Sequence, residues 1–300
     1  MKIKEIHSSD LTASCMRFVQ LRLQGKTNPV ATGALFRGLV AGEALRYLHE
    51  RHLHGQSEEP AMFTPLVSEA IDSVRRTLAD EGRKTSESVD ASMSETIGDI
   101  GMFCENYYRK FKERFSRWTL LGCEVPVRWK FAPRMPEFAS HIDLLLRDDH
   151  GRLVFVDWKL RETAPTWHYL ARNMQFACYF GCCLEGRFML NDGLTTEWKH
   201  IGEEARGVWL HVNHLAPFGR KTTCEDDNGN QREFVKGDDR PVRMSWREVE
   251  YTHGAIENIR AELMMRIRMM RKDQFPTNPD PIGCSLCEAE SFCTRFDMLL

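Results

Sequence analysis

The chain has 300 residues, 42% of them hydrophobic and 28% charged, which suffices to bury a sizeable core in one large domain or two modest ones. A net charge of −2 excludes a global basic field, so any contact with nucleic acid must come from local basic patches. No apolar run reaches membrane-spanning length and the amino terminus, Met1 to His7, has no signal-peptide pattern, so the expectation is a soluble, cytoplasmic protein.

The hydrophobic periodicity predicts the following elements in chain order. Residues 8–24 open on Ser8, Ser9 and Asp10, an N-cap signal, and predict a helix carrying Cys15. Residues 31–54 predict a second helix, in which Gly38 and Gly42 share a face and would admit a close neighbour. Further along it, His49, His52 and His54 are expected at the surface. From 66 to 118 the pattern is helical, interrupted by a polar, Ser-rich stretch at 81–94. Its end, Arg109–Arg117, interleaves aromatic and basic residues and reads as an amphipathic helix with solvated cations rather than a nucleic-acid face. Strands are expected at 121–129, 141–147, 152–158 and 207–214. A helix at about 166–185 carries Gln175 and Tyr179, and 220–240 reads as an exposed loop or hairpin. Residues 252–272 predict a last helix, rich in Met and Arg. The layout is α/β, with helices preceding a small mixed sheet.

The stretch from His141 to Lys159 is the most informative. Asp143 and Asp157 stand in otherwise apolar strands, where an unpaired charge is costly. Lys159 follows Asp157 by two, so both face one side of the strand. If Asp149, His150 and Gly151 form a three-residue loop, with Gly151 left-handed, Asp143 lies opposite Asp157 at roughly 5 Å between Cβ atoms. A two-residue loop would send the two aspartates to opposite faces; the first register is adopted. Two carboxylates and an ammonium would then converge. Hard oxygen ligands suit Mg²⁺ or Mn²⁺, with the Trp158 carbonyl a further donor. A lysine beside an attacking water suits phosphodiester hydrolysis. Asp-x-Lys also recurs by chance as an edge-strand ion pair, and the second acid in the partner strand is what gives it weight.

Ten cysteines in a large chain without an export signal argue against a disulfide framework. Cys284, Cys287 and Cys293 are bunched in a turn-rich tail, a spacing that binds a soft metal centre, and Cys15 is the natural fourth ligand. The centre can be an iron–sulfur cluster or zinc. Gln175 and Tyr179, four apart on one helix, share a face and either support the charged hairpin or cap the core.

Together these residues resemble the PD-(D/E)XK nuclease superfamily, in its RecB-type branch of iron–sulfur exonucleases, among them CRISPR-associated RecB-like, AddB-type and phage enzymes. Asp143 matches the acid of the family's first catalytic strand, and Asp157-Trp158-Lys159 its (D/E)-x-K strand. Gln175 and Tyr179 match its Q-x3-Y helix, and Cys15, Cys284, Cys287 and Cys293 its cluster ligands. The resemblance implies a restriction-endonuclease-like core, a small mixed sheet flanked by helices, as one nuclease domain over 1–300. It further implies a helical insertion at 43–118 and a cluster-binding tail at 275–300 joined to Cys15. The implied activity is a metal-dependent DNA exonuclease using Mg²⁺ or Mn²⁺ on single-stranded DNA or DNA ends, with a structural 4Fe–4S cluster. The sequence departs from the family at one place. Gly42 stands where a metal-binding His is usual in G-x3-H-E. Glu43, about 100° further round the helix, and Glu124 are candidate replacements. The alternative function is a weak or inactive DNA-binding or assembly module of the same fold. Arg260, Arg266, Arg268 and Arg271 are candidate phosphate contacts, with solvated helix faces the simpler reading.

Overall fold

The computed structural model describes residues 5–7, 16–23, 30–31, 33–53, 63–160, 170, 173–191, 196–213, 221–225, 231–235 and 243–272. In chain order they form β1 (Glu5–His7), α1 (Met16–Leu23), β2 (Val30–Ala31), α2 (Gly33–Leu53), α3 (Phe63–Asp80), β3 (Lys84–Thr85), α4 (Glu87–Ala91), α5 (Met93–Arg117) and β4 (Thr119–Trp129). Then come β5 (Glu137–Arg147), β6 (Leu153–Leu160), α6 (Met174–Glu185), β7 (Arg187–Asn191), β8 (Thr196–Lys199), β9 (Ala205–Asn213), β10 (Lys221–Glu225), β11 (Gln231–Val235), β12 (Arg243–Val249) and α7 (His253–Arg271).

The main sheet runs β12-β9-β6-β5-β4-β7-β8, with β1 beside the start of β5. It is mixed: β6 pairs β9 in parallel, whereas β4, β5 and β6 form an antiparallel meander. The period of two sorts β5 and β6 between two cores. Leu144, Leu146, Val154, Val156 and Trp158 pack under α2, α3 and α5 on one face. Leu145, Leu153 and Phe155 pack under α6 and α7 on the other. A sheet buried on both faces is the predicted α/β class.

Each helix is placed by its apolar stripe. In α3, Phe63, Leu66, Val67, Ala70, Ile71, Val74 and Leu78 recur at helical spacing and are buried, each contributing about 1.5–3 kcal/mol when large and fully covered. Helix α6 starts where the Asn173 side chain accepts the Phe176 N–H, and is buried almost throughout. Its Gly181 lets the Trp129 ring lie on the helix, because a Cβ there would come within 2.5 Å of the indole. Cys178, Cys182 and Cys183 are fully buried, and burial raises their thiol pKa values, so they act as apolar filler.

The β5–β6 turn has the adopted register. Gly151 is left-handed at φ 76° and its N–H reaches the Asp148 carbonyl at 2.9 Å, while Leu144 faces Val156 and Leu145 faces Phe155. Residues 220–240 contain the short hairpin of β10 and β11. Strands β1, β7, β8 and β12 go beyond the predicted elements; they are short or charged segments at the sheet margins, with little apolar alternation to announce them. His49 is a correction. It is 2% exposed rather than at the surface, because α2 turns it toward the sheet. Of the carboxy-terminal arginines, Arg260 and Arg271 link α7 to other elements, while Arg266 pairs within the helix. Arg260 donates to the Phe131 carbonyl at 2.9 Å, pairs with Glu185 and lies over the Trp129 ring; Arg266 pairs with Glu262, and Arg271 donates to the Arg134 carbonyl. Cys15 and the tail 275–300 lie outside the described residues.

Candidate active site

On one edge of β5 the ladder to β1 ends at Ala139↔His7 and the ladder to β6 ends at Leu144↔Val156. Among the described residues, 140–143 have no ladder partner on that edge, and Asp143 occupies the opening. Its Oδ2 accepts the Trp158 N–H at 2.7 Å, so the side chain supplies the bond that the diverging backbone gives up. Burial, then the neighbouring charges of Asp157 and Glu124, push the Asp143 carboxyl well above the usual carboxylate range; Lys159 and the Trp158 N–H oppose this.

Asp157 is fully buried. One of its oxygens pairs with the Lys159 ammonium at 2.7 Å, and the other accepts the Gln175 amide at 3.1 Å. Gln175 also donates to the Tyr179 hydroxyl at 2.8 Å, and that hydroxyl donates to the His141 carbonyl at 2.6 Å. Tyr179 therefore ties α6 to β5 at His141, while Gln175 ties α6 to β6. The structure joins Asp157, Lys159, Gln175 and Tyr179 in one chain of hydrogen bonds and ion pairs, and sets Asp143 beside them through the Trp158 N–H and its electrostatic coupling to Asp157 and Lys159.

Glu124 joins them. It lies between the pairs Cys123↔Leu144 and Val125↔Ile142, and so faces Asp143 from β4. Its φ of 45° is in the left-handed region, uncommon for a residue with a side chain and a mark of local strain. Burial, Glu43 and Asp157 raise its pKa, while Arg46 and Lys159 lower it. Sequence reading gave it little weight because strand alternation directs it away from the apolar set. Cys123 and Val125, two residues apart, nevertheless pack on opposite faces, so the period of two breaks at this residue. Glu43, the other candidate acid, is taken up by Arg46 through contacts of 2.7 and 2.8 Å and by the Ser73 hydroxyl at 2.7 Å, which hold its carboxyl below the usual range.

A cavity of about 1100 Å³ opens over these groups. One wall is the α2 face from Leu35 to Glu50 with part of α3; the opposite wall carries Glu124, His141, Asp143 and Lys159. Arg22, Arg46 and Arg83 add positive charge. Gly38 and Gly42 line the cavity too, and a Cβ at either would meet nothing within 4 Å.

The donor set fits a hard divalent cation. Asp157 raises the pKa of both Asp143 and Glu124, Lys159 lowers both, and the Lys159 ammonium pairs directly with Asp157. Among the described residues no three His, Cys, Asp or Glu side chains are already drawn together as a coordination shell, and Asp157 is held by Lys159 and Gln175. No described helix is long and apolar enough to cross a membrane.

A family model of the PD-(D/E)XK nuclease superfamily matches residues 16–294. No curated protein sequence matches the chain. Among solved structures, the crystal structure of SSO0001 is similar at 12% identity and a TM-score of 0.37, over 98% of this chain and 87% of that one.

Proposed function

This chain belongs to the PD-(D/E)XK nuclease superfamily, and from that premise we propose that it is a metal-dependent exonuclease acting on single-stranded DNA or DNA ends. The observation that carries the reading is the convergence of half-buried Asp143, fully buried Asp157 and half-buried Lys159 where β5 and β6 part, backed by Gln175 and Tyr179. Asp143 and Asp157 would hold Mg²⁺ or Mn²⁺, with Glu124 and the Trp158 carbonyl as further oxygen donors. The bound cation supplies Lewis acidity toward the phosphate and a more acidic water. Lys159 turns from Asp157 to hold and orient the attacking water. Gln175 keeps Asp157 aimed, and Tyr179 keeps the β5 backbone in place. Exonuclease action on an unpaired strand is favoured by the cavity, whose size and helical wall suit a few unpaired nucleotides better than the body of a duplex.

We further propose that Cys15, Cys284, Cys287 and Cys293 bind a structural 4Fe–4S cluster, zinc being the alternative. Their spacing supports this; all four lie outside the described residues. A second reading, a DNA-binding or assembly module without catalysis, is favoured by Gly42 in the family's histidine position.

The test is cleavage of end-labelled linear and of circular single-stranded DNA with Mg²⁺ or Mn²⁺. Linear DNA should be degraded and circles spared, with Asp157→Ala and Lys159→Ala each lowering the rate by about a hundredfold or more. Cleavage of circles would make the enzyme an endonuclease. A folded wild type that binds DNA without cutting it would establish the second reading.

A further inference from the structure

We propose that His49 is a positioning residue of this site, fixing the 157–159 strand against Asp143 through the Trp158 ring. The idea rests on the reading above only in taking Asp143 and Asp157 as metal ligands. Trp158 alternates with Asp157 and Lys159 along β6, so its side chain goes to the helical face of the sheet, where it is 6% exposed. There the His49 imidazole lies flat against the indole, with ring centroids 5.6 Å apart and planes at 13°. His49 Nε2 is 2.7 Å from the Tyr107 hydroxyl of α5. Tyr107 in turn packs between Phe103 and Phe111 and meets the imidazole edge-on. At the same residue of β6, the Trp158 backbone N–H holds Asp143 at 2.7 Å.

One path of direct contacts, Tyr107–His49–Trp158–Asp143, thus joins the helical layer to a metal-facing acid. An aliphatic residue at 49 would fill the volume. A flat ring fixed by a hydrogen bond also sets the tilt of the indole, and with it the peptide between the two residues that must face the cation. Groups behind metal ligands govern affinity by such small displacements.

The test uses the full chain and measures Mn²⁺ affinity by titration calorimetry beside the kinetics of single-strand cleavage. His49→Ala is expected to weaken Mn²⁺ about tenfold and to lower kcat while leaving KM nearly unchanged. Tyr107→Phe keeps the ring and loses only the hydrogen bond, and His49→Phe keeps a flat ring without it at the cost of some crowding, so each should weaken Mn²⁺ by about threefold. A His49→Ala protein that melts earlier yet binds Mn²⁺ like the wild type would show His49 to be core filler and overturn the proposal. Should His49→Ala fail to fold, the two phenylalanine variants decide, and wild-type affinity in both overturns it. A wild type that binds Mn²⁺ but cuts no DNA overturns the nuclease reading alone, because the affinities still judge His49. A wild type with no Mn²⁺ affinity overturns both.

Discussion

Asp143 should carry the opposite pH signature from an ordinary surface aspartate. Burial and the charges of Asp157 and Glu124 raise its pKa well above the usual range, so the native state keeps a proton that the unfolded chain releases near pH 4. Between that pH and the raised native value the folded state binds more protons than the unfolded one, so metal-free stability falls as pH rises through the window. Asp143→Asn removes this slope. In EDTA at pH 8 its Tm should exceed that of the wild type by roughly 2–4 °C for each 1 kcal/mol relieved, and Mn²⁺ should stabilise the wild type only. Calorimetric melts from pH 5 to 8 check it; parallel curves for the two proteins would refute the assignment. At this scale the sequence disclosed Asp143, Asp157 and Lys159, because a charge in an apolar strand is conspicuous. It named Glu124 only as one candidate acid beside Glu43, because its orientation depends on one left-handed φ, and it misplaced His49, which is polar by type and buried by its place on α2.

Helix α2 shows the same division at the level of an element. Its span was readable from periodicity, but the close neighbour expected at Gly38 and Gly42 is not there, since a Cβ at either would meet nothing within 4 Å. Both glycines instead line the open cavity. Gly42→His should therefore fold without a clash at its Cβ, helped by the better helix propensity of histidine over glycine. If position 42 faces the cation as the family pattern implies, the variant needs less Mn²⁺ for half-maximal cleavage. A titration unchanged from wild type would mean that Glu124 already completes the site. The β5–β6 hairpin was legible in register because Gly151 announces its turn. The marginal strands β7 and β8 were not, since four or five residues with exposed charges carry no periodic signal.

Across the whole molecule, the sheet acts as a partition with a different task on each face. Helices α2 and α3 form the cavity wall and α2, backed by α5, supports Trp158, while α6 supplies Gln175 and Tyr179 from the opposite side. The site exists only where both layers meet the parting strands. The cysteines would act at the same scale, joining the two ends of the chain and closing a very large loop. Purified without air, the protein should be brown and contain about four irons, and Cys287→Ser should bleach it and lower its Tm. A colourless wild type with one bound zinc would decide for the other metal.

The sequence by itself determined the α/β class, the hairpin register, the acid–lysine pair and the Gln175–Tyr179 face, because each follows from a local period or a single turn residue. Tertiary structure alone decided that Glu124 faces Asp143, that Arg46 occupies Glu43, that Arg260 and Arg271 brace the loop after β4, and that His49 lies under Trp158. Those relations join residues from separate elements. They arise from how the two helical layers close on the sheet, which no local pattern in the chain encodes.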